Sequence, residues 1–584
     1  MPIKSMIKSR AVVIVAMIAI SLTILVMCIA LKNETFTRVE KAENINDELH
    51  YAISTEHEIC TSIARKVMEE EQANAIEAAI AALFCIGTVN PFSSGIGGFL
   101  QRGGVAMVRD ENMQIHAMDF REMSSSSSTF DIFATDPSKS VKGALSVGVP
   151  GEVKGLWELY QRFGLKKAEW NTLIEPSIQL ARNGFTVDRE LARRIQIYKS
   201  DILEEPTLRQ VFAPEGQLLG IGDTLQRPNY AQTLETISKE GANAFYSGSI
   251  ATSLIKFIQS NGGILTADDF KNYSIKMRDV VQGEFNGLNV YSMGTPASGN
   301  IVVTMLNVLN QFDDREPHPV TFYHRGDRLV ECMKFGYGIR NLMGDADFNE
   351  GMSNFVNSTT DETFAKRINS LINDAATYPM QYYTDTVTQA LKDQGTTHVS
   401  VIDRNGLSAS ITSSINHIFG SKLIDPTTGI LLNNVMDDFS QPTHPNAFGY
   451  PPNPSNYIEP RKRPQSSMSP LIIEKQGNVF MSVGASGGAY MPSAVFQSVL
   501  NVLVRRMLPQ MAVNEPRVHH QLNPDVVRVE VGFDRDILNG LTVIGHTVEE
   551  EGPRSAVQMA MKIAEFGGYE AGADERKHGY AISQ

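Results

Sequence analysis

Two strand patterns joined by a tight turn constrain the fold more than any other segment of this chain. Thr397 to Asp403 and Leu407 to Ser413 both alternate apolar and polar residues, and Arg-Asn-Gly between them is a hairpin turn signal. Paired positions then sum to about 810, which places Thr396 opposite Ser414 and close to Asn416. The hairpin therefore predicts two hydroxyl groups and an amide close together at one end of the strand pair.

Thr396 has the chemistry of a self-activating nucleophile. Gly395 precedes it and lets the backbone bend there. If the bond between the two were cut, Thr396 would gain an α-amino group with a pKa of about 8, close enough to its own hydroxyl to act as general base. The local pattern also has a simpler interpretation, in which Thr396 is a β-branched residue that begins a strand.

Size and charge exclude several classes of protein. With 584 residues, the chain can bury one large core or two ordinary ones, which excludes a peptide hormone or a disulfide miniprotein. Its 52 Lys and Arg against 65 Asp and Glu give a net charge of −13, so a surface that neutralises nucleic-acid phosphates is not expected. Hydrophobic residues at 42% and charged residues at 20% indicate a globular body.

An uncharged run near the N-terminus stands apart from that body. Ala11 to Leu31 is 21 residues long and matches the hydrocarbon core of a bilayer, which is about 30 Å thick. Basic residues precede the run and acidic residues follow it, so the positive-inside rule predicts a cytoplasmic tail at 1–10 and a type II signal anchor at 11–31. Residues 32–55 are polar and predict a stalk. A cleaved signal peptide is the alternative to the anchor.

An extracellular body would expose its cysteines to an oxidising compartment. Cys60 and Cys85 lie 25 residues apart, and a disulfide between them or two buried free thiols fit this spacing equally. Cys332 is then left over and is expected to be a buried thiol. N-glycosylation sequons, each a candidate glycan site, occur at Asn33, Asn272 and Asn357.

Several longer motifs in the chain belong together. The runs QGTTHVSVID, SSINHIFGSK, GILLNNVMDDFS, RPQSSMSP and GASGGAY, in that order, resemble the small-subunit signature of the γ-glutamyltransferases, an N-terminal-nucleophile family. The resemblance continues upstream in AIEAAIAALFCIGTVNPFSSGIGGFL, MDFREM and VPGEVKGLWELYQRFG, and it covers nearly everything from Glu58 onward. It implies an α+β fold, a four-layer αββα sandwich of the Ntn-hydrolase type, to which the uncharged run at 11–31 adds a single N-terminal transmembrane helix. It also implies a precursor that cuts itself into a large subunit, 56–395, and a small subunit, 396–584.

The resemblance also implies roles for individual residues. In the catalytic group, Thr396 is the nucleophile, Ser414 supplies the hydroxyl opposite it, and the N–H groups of Gly487 and Gly488 form an oxyanion hole. A second group holds the γ-glutamyl head: Asn416 and Asp438 at the α-amino end, and Arg121, Ser466 and Ser467 at the α-carboxylate. No metal or organic cofactor is implied. His398 follows the nucleophile closely but is expected to be structural.

Three departures from the family pattern affect these expectations. Ser414 stands where the family usually has Thr, which keeps the hydroxyl and loses a methyl group. Val435 stands where the family usually has Glu or Gln facing the substrate α-amino group, and losing such a partner costs on the order of 1.5–3 kcal/mol. We therefore expect weaker binding of γ-glutamyl donors or a shifted acyl preference. The run REMSSSSS that begins at Arg121 lacks the usual Ala-Pro, which leaves the conformation of that loop unpredicted.

Together these observations predict a plasma-membrane enzyme with an extracellular catalytic domain. It would cleave glutathione and related γ-glutamyl compounds and transfer the γ-glutamyl group to water, to an amino acid or to a dipeptide. Two alternatives stay open. One is a glutaryl-type acylase of the same fold, which would tolerate Val435, and the other is a non-catalytic, membrane-anchored binding homologue.

Overall fold

The computed structural model describes residues 50–94, 103–312, 326–384, 395–442, 452–563 and 568–584. The predicted tail, signal anchor and Asn33, and nearly all of the predicted stalk, lie outside these ranges. Within them, no helix has the length and the apolar character needed to cross a membrane.

Two antiparallel sheets form the centre of the protein. The first has seven strands in the spatial order Tyr580–Ser583, Tyr51–Thr55, Gly395–Asp403, Ser408–Asn416, Gly103–Arg109, Ile115–Asp119 and Lys276–Arg278. The second has six, in the order Gly568–Ala573, Ala556–Ile563, Asn478–Ser486, Leu471–Lys475, Leu288–Met293 and Val280–Phe285.

The two sheets face each other across a layer that contains many serines. The Ser410 hydroxyl donates to the carbonyl oxygen of Val483 at 3.0 Å, and the Ser482 hydroxyl donates to that of Ala409 at 2.9 Å. Because buried hydroxyl groups need partners, these bonds between the sheets fix how one sheet lies on the other.

Helices cover the outer faces of both sheets. Ala75–Val89 is buried along its whole length and packs on the hairpin strands of the first sheet, while Gly299–Leu309 and Met491–Leu503 pack on the second. The predicted α+β fold is confirmed, and its layers follow the order helix, sheet, sheet, helix. The other α-helices of the described residues are Glu58–Glu70, Pro91–Ser94, Glu152–Phe163, Trp170–Asn183, Arg189–Ile197, Lys199–Glu204, Pro206–Phe212, Pro228–Glu240, Asn243–Ser247, Ser249–Ser260, Ala267–Lys271, Gly326–Arg340, Met352–Thr359, Glu362–Asn369, Pro509–Asn514 and Arg535–Val543.

Short strands outside the two main sheets complete the fold. Val518–His519, Val527–Glu530 and Val548–Glu551 form a three-stranded sheet. Phe185–Thr186 pairs with Thr224–Leu225, and Ile424–Asp425 pairs with Ile430–Leu431.

The predicted hairpin forms with the predicted register. Thr396 is the partner of Ser414, and the pairing shifts by one residue so that Asn416 lies opposite Gly395. Asn416 has a φ of +75° at this irregularity. In the turn, Gly406 alone has a positive φ, of +79°, so the loop is not the two-residue Asn-Gly type in which both central residues are left-handed.

The predicted boundary of the stalk at residue 55 is wrong. Tyr51–Thr55 is a fully buried strand of the first sheet, between Gly395–Asp403 and Tyr580–Ser583. The folded domain therefore begins before residue 56. Both partner strands are hundreds of residues away in the sequence, so the local composition of residues 32–55 carried no sign of this pairing.

Cys60 and Cys85 form a disulfide, which decides between the two interpretations of their spacing. The bond joins the helices Glu58–Glu70 and Ala75–Val89. Cys332 is a buried free thiol, as predicted, and burial raises its pKa. Asn272 and Asn357 of the predicted sequons are both exposed on the surface.

Candidate active site

The end of the hairpin brings Thr396 and the peptide bond before it into one hydrogen-bond network. The Ser414 hydroxyl donates to the Gly395 carbonyl oxygen at 2.8 Å, and its oxygen accepts the Asn416 backbone N–H at 2.9 Å. Thr396 Oγ1 lies 3.0 Å from the same oxygen. Since a serine hydroxyl has one proton and it is directed at Gly395, the Thr396 hydroxyl is the donor in that contact.

The position before Thr396 accepts only glycine. A Cβ atom on Gly395 would lie 2.4 Å from the His417 carbonyl oxygen and 2.5 Å from that of Asn416. Close approach of the opposite strand therefore excludes any side chain here. The carbonyl that Ser414 contacts is held against the neighbouring strand by this packing.

A buried lysine holds the other side of the Thr396 backbone. Lys577 Nζ donates to the Thr396 carbonyl oxygen at 2.7 Å and to Ser486 Oγ at 2.9 Å, and lies 3.6 Å from Glu56 Oε1. The ammonium group is buried together with this acidic partner, which offsets the cost of removing it from water. Sequence reasoning did not single out Lys577, because it lies 181 residues beyond Thr396 and only the fold brings the two together.

The predicted substrate-binding charges pair with one another. The Arg121 guanidinium, which is 1% exposed, contacts the Asp438 carboxylate and lies 3.1 Å from Glu122 Oε2. Asp438 is 14% exposed and so forms the solvent side of the pair. Burial raises the pKa of Glu122 to about 7, which reduces its negative charge at neutral pH. A charged ligand that enters between Arg121 and Asp438 breaks their salt bridge and forms a new one with the side chain of opposite charge.

The Thr396 hydroxyl and the Arg121–Asp438 pair line one cleft of about 350 Å³. Eight of the nine predicted catalytic and substrate-binding residues line it, and Gly487 is next to a lining residue. The eight are Arg121, Thr396, Ser414, Asn416, Asp438, Ser466, Ser467 and Gly488. Four further lining residues, which sequence reasoning missed, are Arg340, Gln465, Ala489 and Met491.

The serine pair is held by its backbone. The Ser466 N–H donates to the Pro296 carbonyl oxygen at 2.7 Å, and its carbonyl accepts the Ser298 hydroxyl at 2.6 Å. The Ser467 carbonyl accepts the Ser469 hydroxyl at 2.9 Å. These bonds fix the main chain while both serines face the cleft.

The paired glycines adopt a backbone that other residues avoid. Gly487 has a φ of +122° and Gly488 a φ of +59°. A Cβ atom on Gly487 would lie 2.6 Å from the Arg554 carbonyl oxygen. Both glycines precede the helix Met491–Leu503, whose N-terminal end favours negative charge.

Aromatic side chains support this glycine loop from behind. The Tyr337 hydroxyl donates to the carbonyl oxygen of Ala489, and its ring packs edge-on against His519 with centroids 5.4 Å apart. His519 in turn stacks on Tyr490 at 3.8 Å. Tyr337 belongs to the helix Gly326–Arg340, so that helix contributes Arg340 to the cleft and a hydrogen bond to the loop beside it.

His398 lies between the two sheets, as the prediction of a structural role requires. Its ring nitrogens bond to Thr412 Oγ1 at 2.8 Å and to Ser400 Oγ at 3.0 Å. Burial lowers its pKa to about 3, so the ring is neutral at physiological pH. In the described ranges, no cluster of three or more His, Cys, Asp or Glu is arranged to hold a metal ion.

Val435 is packed away from the cleft. It is fully buried, and its Cγ1 lies 2.4 Å from the position that a Cβ atom on Gly148 would take. Its backbone N–H donates to Asn433 Oδ1 at 3.1 Å. The side chain therefore fills a gap beside Gly148, and weaker binding of γ-glutamyl donors stays a prediction.

Comparison with known proteins decides the family. The sequence profile described as Gamma-glutamyltranspeptidase matches residues 60–584. The chain belongs to the γ-glutamyltranspeptidase family. It is 37% identical over 539 residues to Glutathione hydrolase proenzyme 2 of Schizosaccharomyces pombe, which covers 91% of this chain and 86% of that protein. It is 34% identical over 506 residues to Glutathione hydrolase proenzyme of Escherichia coli K12, covering 84% and 85%.

Solved structures agree with this membership. The Helicobacter pylori γ-glutamyltranspeptidase crystal structure has 30% identity and a TM-score of 0.53, covering 58% of this chain and 95% of that one. The cephalosporin acylase of Bacillus halodurans has a TM-score of 0.78 over 92% of this chain and 97% of that one. At 22% identity, this likeness shows that the two proteins share a fold.

The network at Gly395 leads to a prediction about cleavage of the precursor. Ser414→Ala removes the hydroxyl that contacts the Gly395 carbonyl oxygen, so we expect cleavage after Gly395 to slow by about 100-fold, as for loss of one oxyanion donor. Ser414→Thr, which restores the hydroxyl, is expected to cleave at a rate near that of the unaltered chain. The measurement is a time course of the two fragments on denaturing gels.

Ser413→Ala is the matched control, because Ser413 is on the same strand, is paired with Thr397 and is also buried. Equal cleavage rates for Ser414→Ala and Ser413→Ala would contradict a role for the Ser414 hydroxyl.

Proposed function

We propose that this chain cleaves the γ-glutamyl amide of glutathione and related compounds and transfers the γ-glutamyl group to water or to an amino-acid or dipeptide acceptor. The observation that carries the proposal is one cleft that holds both the Thr396–Ser414 hydroxyl pair and the Arg121–Asp438 charge pair. The first pair suits attack on an amide carbonyl, and the second suits an amino acid head with one charge of each sign.

The reaction begins with the chain itself. Thr396 Oγ1 attacks the Gly395 carbonyl carbon, the C–N bond breaks, and the freed nitrogen takes up a proton to become the Thr396 α-amino group. Water then hydrolyses the resulting ester. The products are a large subunit that ends at Gly395 and a small subunit, 396–584, with Thr396 at its N-terminus.

Each turnover then uses the same hydroxyl. The α-amino group of Thr396 takes the hydroxyl proton, Oγ1 attacks the γ-carbonyl carbon of the donor, and the N–H groups of Gly487 and Gly488 stabilise the oxyanion. The amine of the donor leaves with a proton. Water or the amine of an acceptor attacks the acyl-Thr396 ester, which gives hydrolysis or transfer and frees the hydroxyl.

Recognition of the γ-glutamyl head follows from the charge pair. The donor α-carboxylate binds Arg121, assisted by Ser466 and Ser467, while the α-ammonium binds Asp438, assisted by Asn416. Each charge of the donor replaces one half of the existing salt bridge, so neither protein charge is left without a partner. A donor that lacks the ammonium group takes Arg121 from Asp438 and leaves the Asp438 carboxylate without a positive partner.

A glutaryl-type acylase is the second candidate function, because position 435 is Val where the family usually has a Glu or Gln for the substrate α-amino group. The two functions predict opposite donor preferences. We expect at least about a 10-fold higher kcat/KM for a γ-glutamyl anilide than for the matching glutaryl anilide, because a hydrogen bond to a charged group contributes about 1.5–3 kcal/mol. Release of the anilide measures both reactions. Faster turnover of the glutaryl compound would replace the γ-glutamyl function by the acylase function.

A matched pair of variants tests the source of that preference. Asp438→Asn is expected to reduce the γ-glutamyl preference about 10-fold. Asp437→Asn is the control. Asp437 lies beside Asp438 in the short helix Val435–Asp438, but its carboxylate is buried against Ser140 and His417. An unchanged preference in Asp438→Asn would contradict the assignment of the α-ammonium to this residue.

The same proposal includes an anchored, extracellular location with a type II signal anchor at residues 11–31. The uncharged run and the basic residues before it support this location, and the exposed sequons at Asn272 and Asn357 are compatible with glycans. We expect the full chain to stay in the membrane pellet after alkaline carbonate extraction and to lose mass on treatment with an N-glycosidase. Full release into the supernatant would contradict the anchor and favour the alternative, a cleaved signal peptide.

A further inference from the structure

A second cavity lies at the helix Pro206–Phe212, the segment around the helix start at Pro228, and the short strand pair that begins at Ile424. Its volume is about 940 Å³, part of which is open to solvent, and none of its lining residues lines the active-site cleft. Its walls combine apolar groups such as Pro214 and Leu219 with polar side chains such as Gln210 and Thr224.

Arg227 is the charged residue in that wall. It is 4% exposed, and one terminal N–H donates to the Gly429 carbonyl oxygen at 3.0 Å. Its other terminal nitrogen, Nη1, is buried without a hydrogen-bond partner. No acidic residue in the described ranges pairs with this guanidinium, and burial lowers its pKa to about 9.

Arg227 differs in this respect from five other buried arginines among the described residues. Removing a charge from water without a counter-charge is costly, so buried arginines are normally paired. Buried arginines that contact a carboxylate in this structure are Arg109, Arg121, Arg194, Arg463 and Arg517. Arg227 lacks the carboxylate that completes each of these sites.

The surroundings of Arg227 hold the guanidinium in place without neutralising it. Its Cζ lies 5.0 Å from the centroid of the Tyr230 ring, and its backbone N–H is bonded to the Ala181 carbonyl oxygen at 2.7 Å. A planar guanidinium fixed in this way is suited to a carboxylate, which accepts two parallel hydrogen bonds.

We propose that this cavity binds a small organic carboxylate. The carboxylate oxygens accept hydrogen bonds from Arg227, and the apolar remainder of the ligand lies against the Pro214 and Leu219 side of the cavity. The site is independent of the γ-glutamyl function, since it contains no residue of the cleft.

The test measures thermal unfolding of the mature protein in the presence of acetate, butanoate or hexanoate. A chloride salt at the same ionic strength is the reference. The unaltered protein is expected to gain melting temperature saturably up to about 50 mM ligand, more with hexanoate than with acetate, because a longer chain buries more apolar area. Arg227→Met is expected to bind hexanoate at least about 10-fold more weakly by titration calorimetry. Because Arg121 can also bind carboxylates, the readout is the difference in carboxylate binding between the unaltered protein and Arg227→Met.

Controls make each outcome decisive. Arg209→Met removes the same charge from an exposed position near the cavity and is expected to keep the binding. Without carboxylate, Arg227→Met is expected to melt at or above the temperature of the unaltered protein, because it removes an unpaired buried charge. Arg227→Lys is expected to bind more weakly because it loses the bidentate fork, and it replaces Arg227→Met if that variant does not fold. Equal binding by the unaltered protein and the Arg227 variants, or no binding by the unaltered protein, would overturn the proposal.

Discussion

The hydrogen bond from the Ser414 hydroxyl to the Gly395 carbonyl oxygen is the contact on which the rest of the site depends. It exists because the hairpin register places residue 396 opposite residue 414, and because glycine at 395 lets the opposite strand approach. The same contact directs the Thr396 hydroxyl toward Ser414. Strand pairing in the centre of the protein thus sets the geometry of the nucleophile, and the sheets and outer helices keep that pairing buried.

Two groups of charged side chains, one buried and one at the cleft surface, lie around this hairpin. Lys577 and Glu56 lie beside the Thr396 carbonyl, and Arg121 and Asp438 lie across the cleft. In both groups a buried cation is paired with a carboxylate, which offsets the cost of keeping that cation near a reacting centre. Residue 56 belongs to the proposed large subunit and residue 577 to the small one, so the first pair also joins the two products of cleavage.

Sequence alone predicted what is local or carried by motifs. The hairpin register followed from alternation and a turn, and the motifs named eight residues that the fold brings into one cleft. Contacts that depend on distant pairing were missed. The sequence predicts a stalk at Tyr51–Thr55 because the partner strands of this segment lie hundreds of residues away, and Lys577 and Arg340 reach the site only through the tertiary fold. Val435 shows the same limit, because a motif gives its position but not the neighbour, Gly148, against which it packs.

The central claim is that Thr396 becomes an N-terminal nucleophile, and the most direct measurement is intact mass with N-terminal sequencing. The full chain is produced in a secretory host beside a Thr396→Ala variant. The account predicts two fragments from the unaltered chain, the smaller beginning TTHVSV, and one uncut chain from the variant. A single uncut chain in both would contradict the account and favour a non-catalytic binding homologue, and cleavage that persists in Thr396→Ala would exclude Thr396 as the group that cuts.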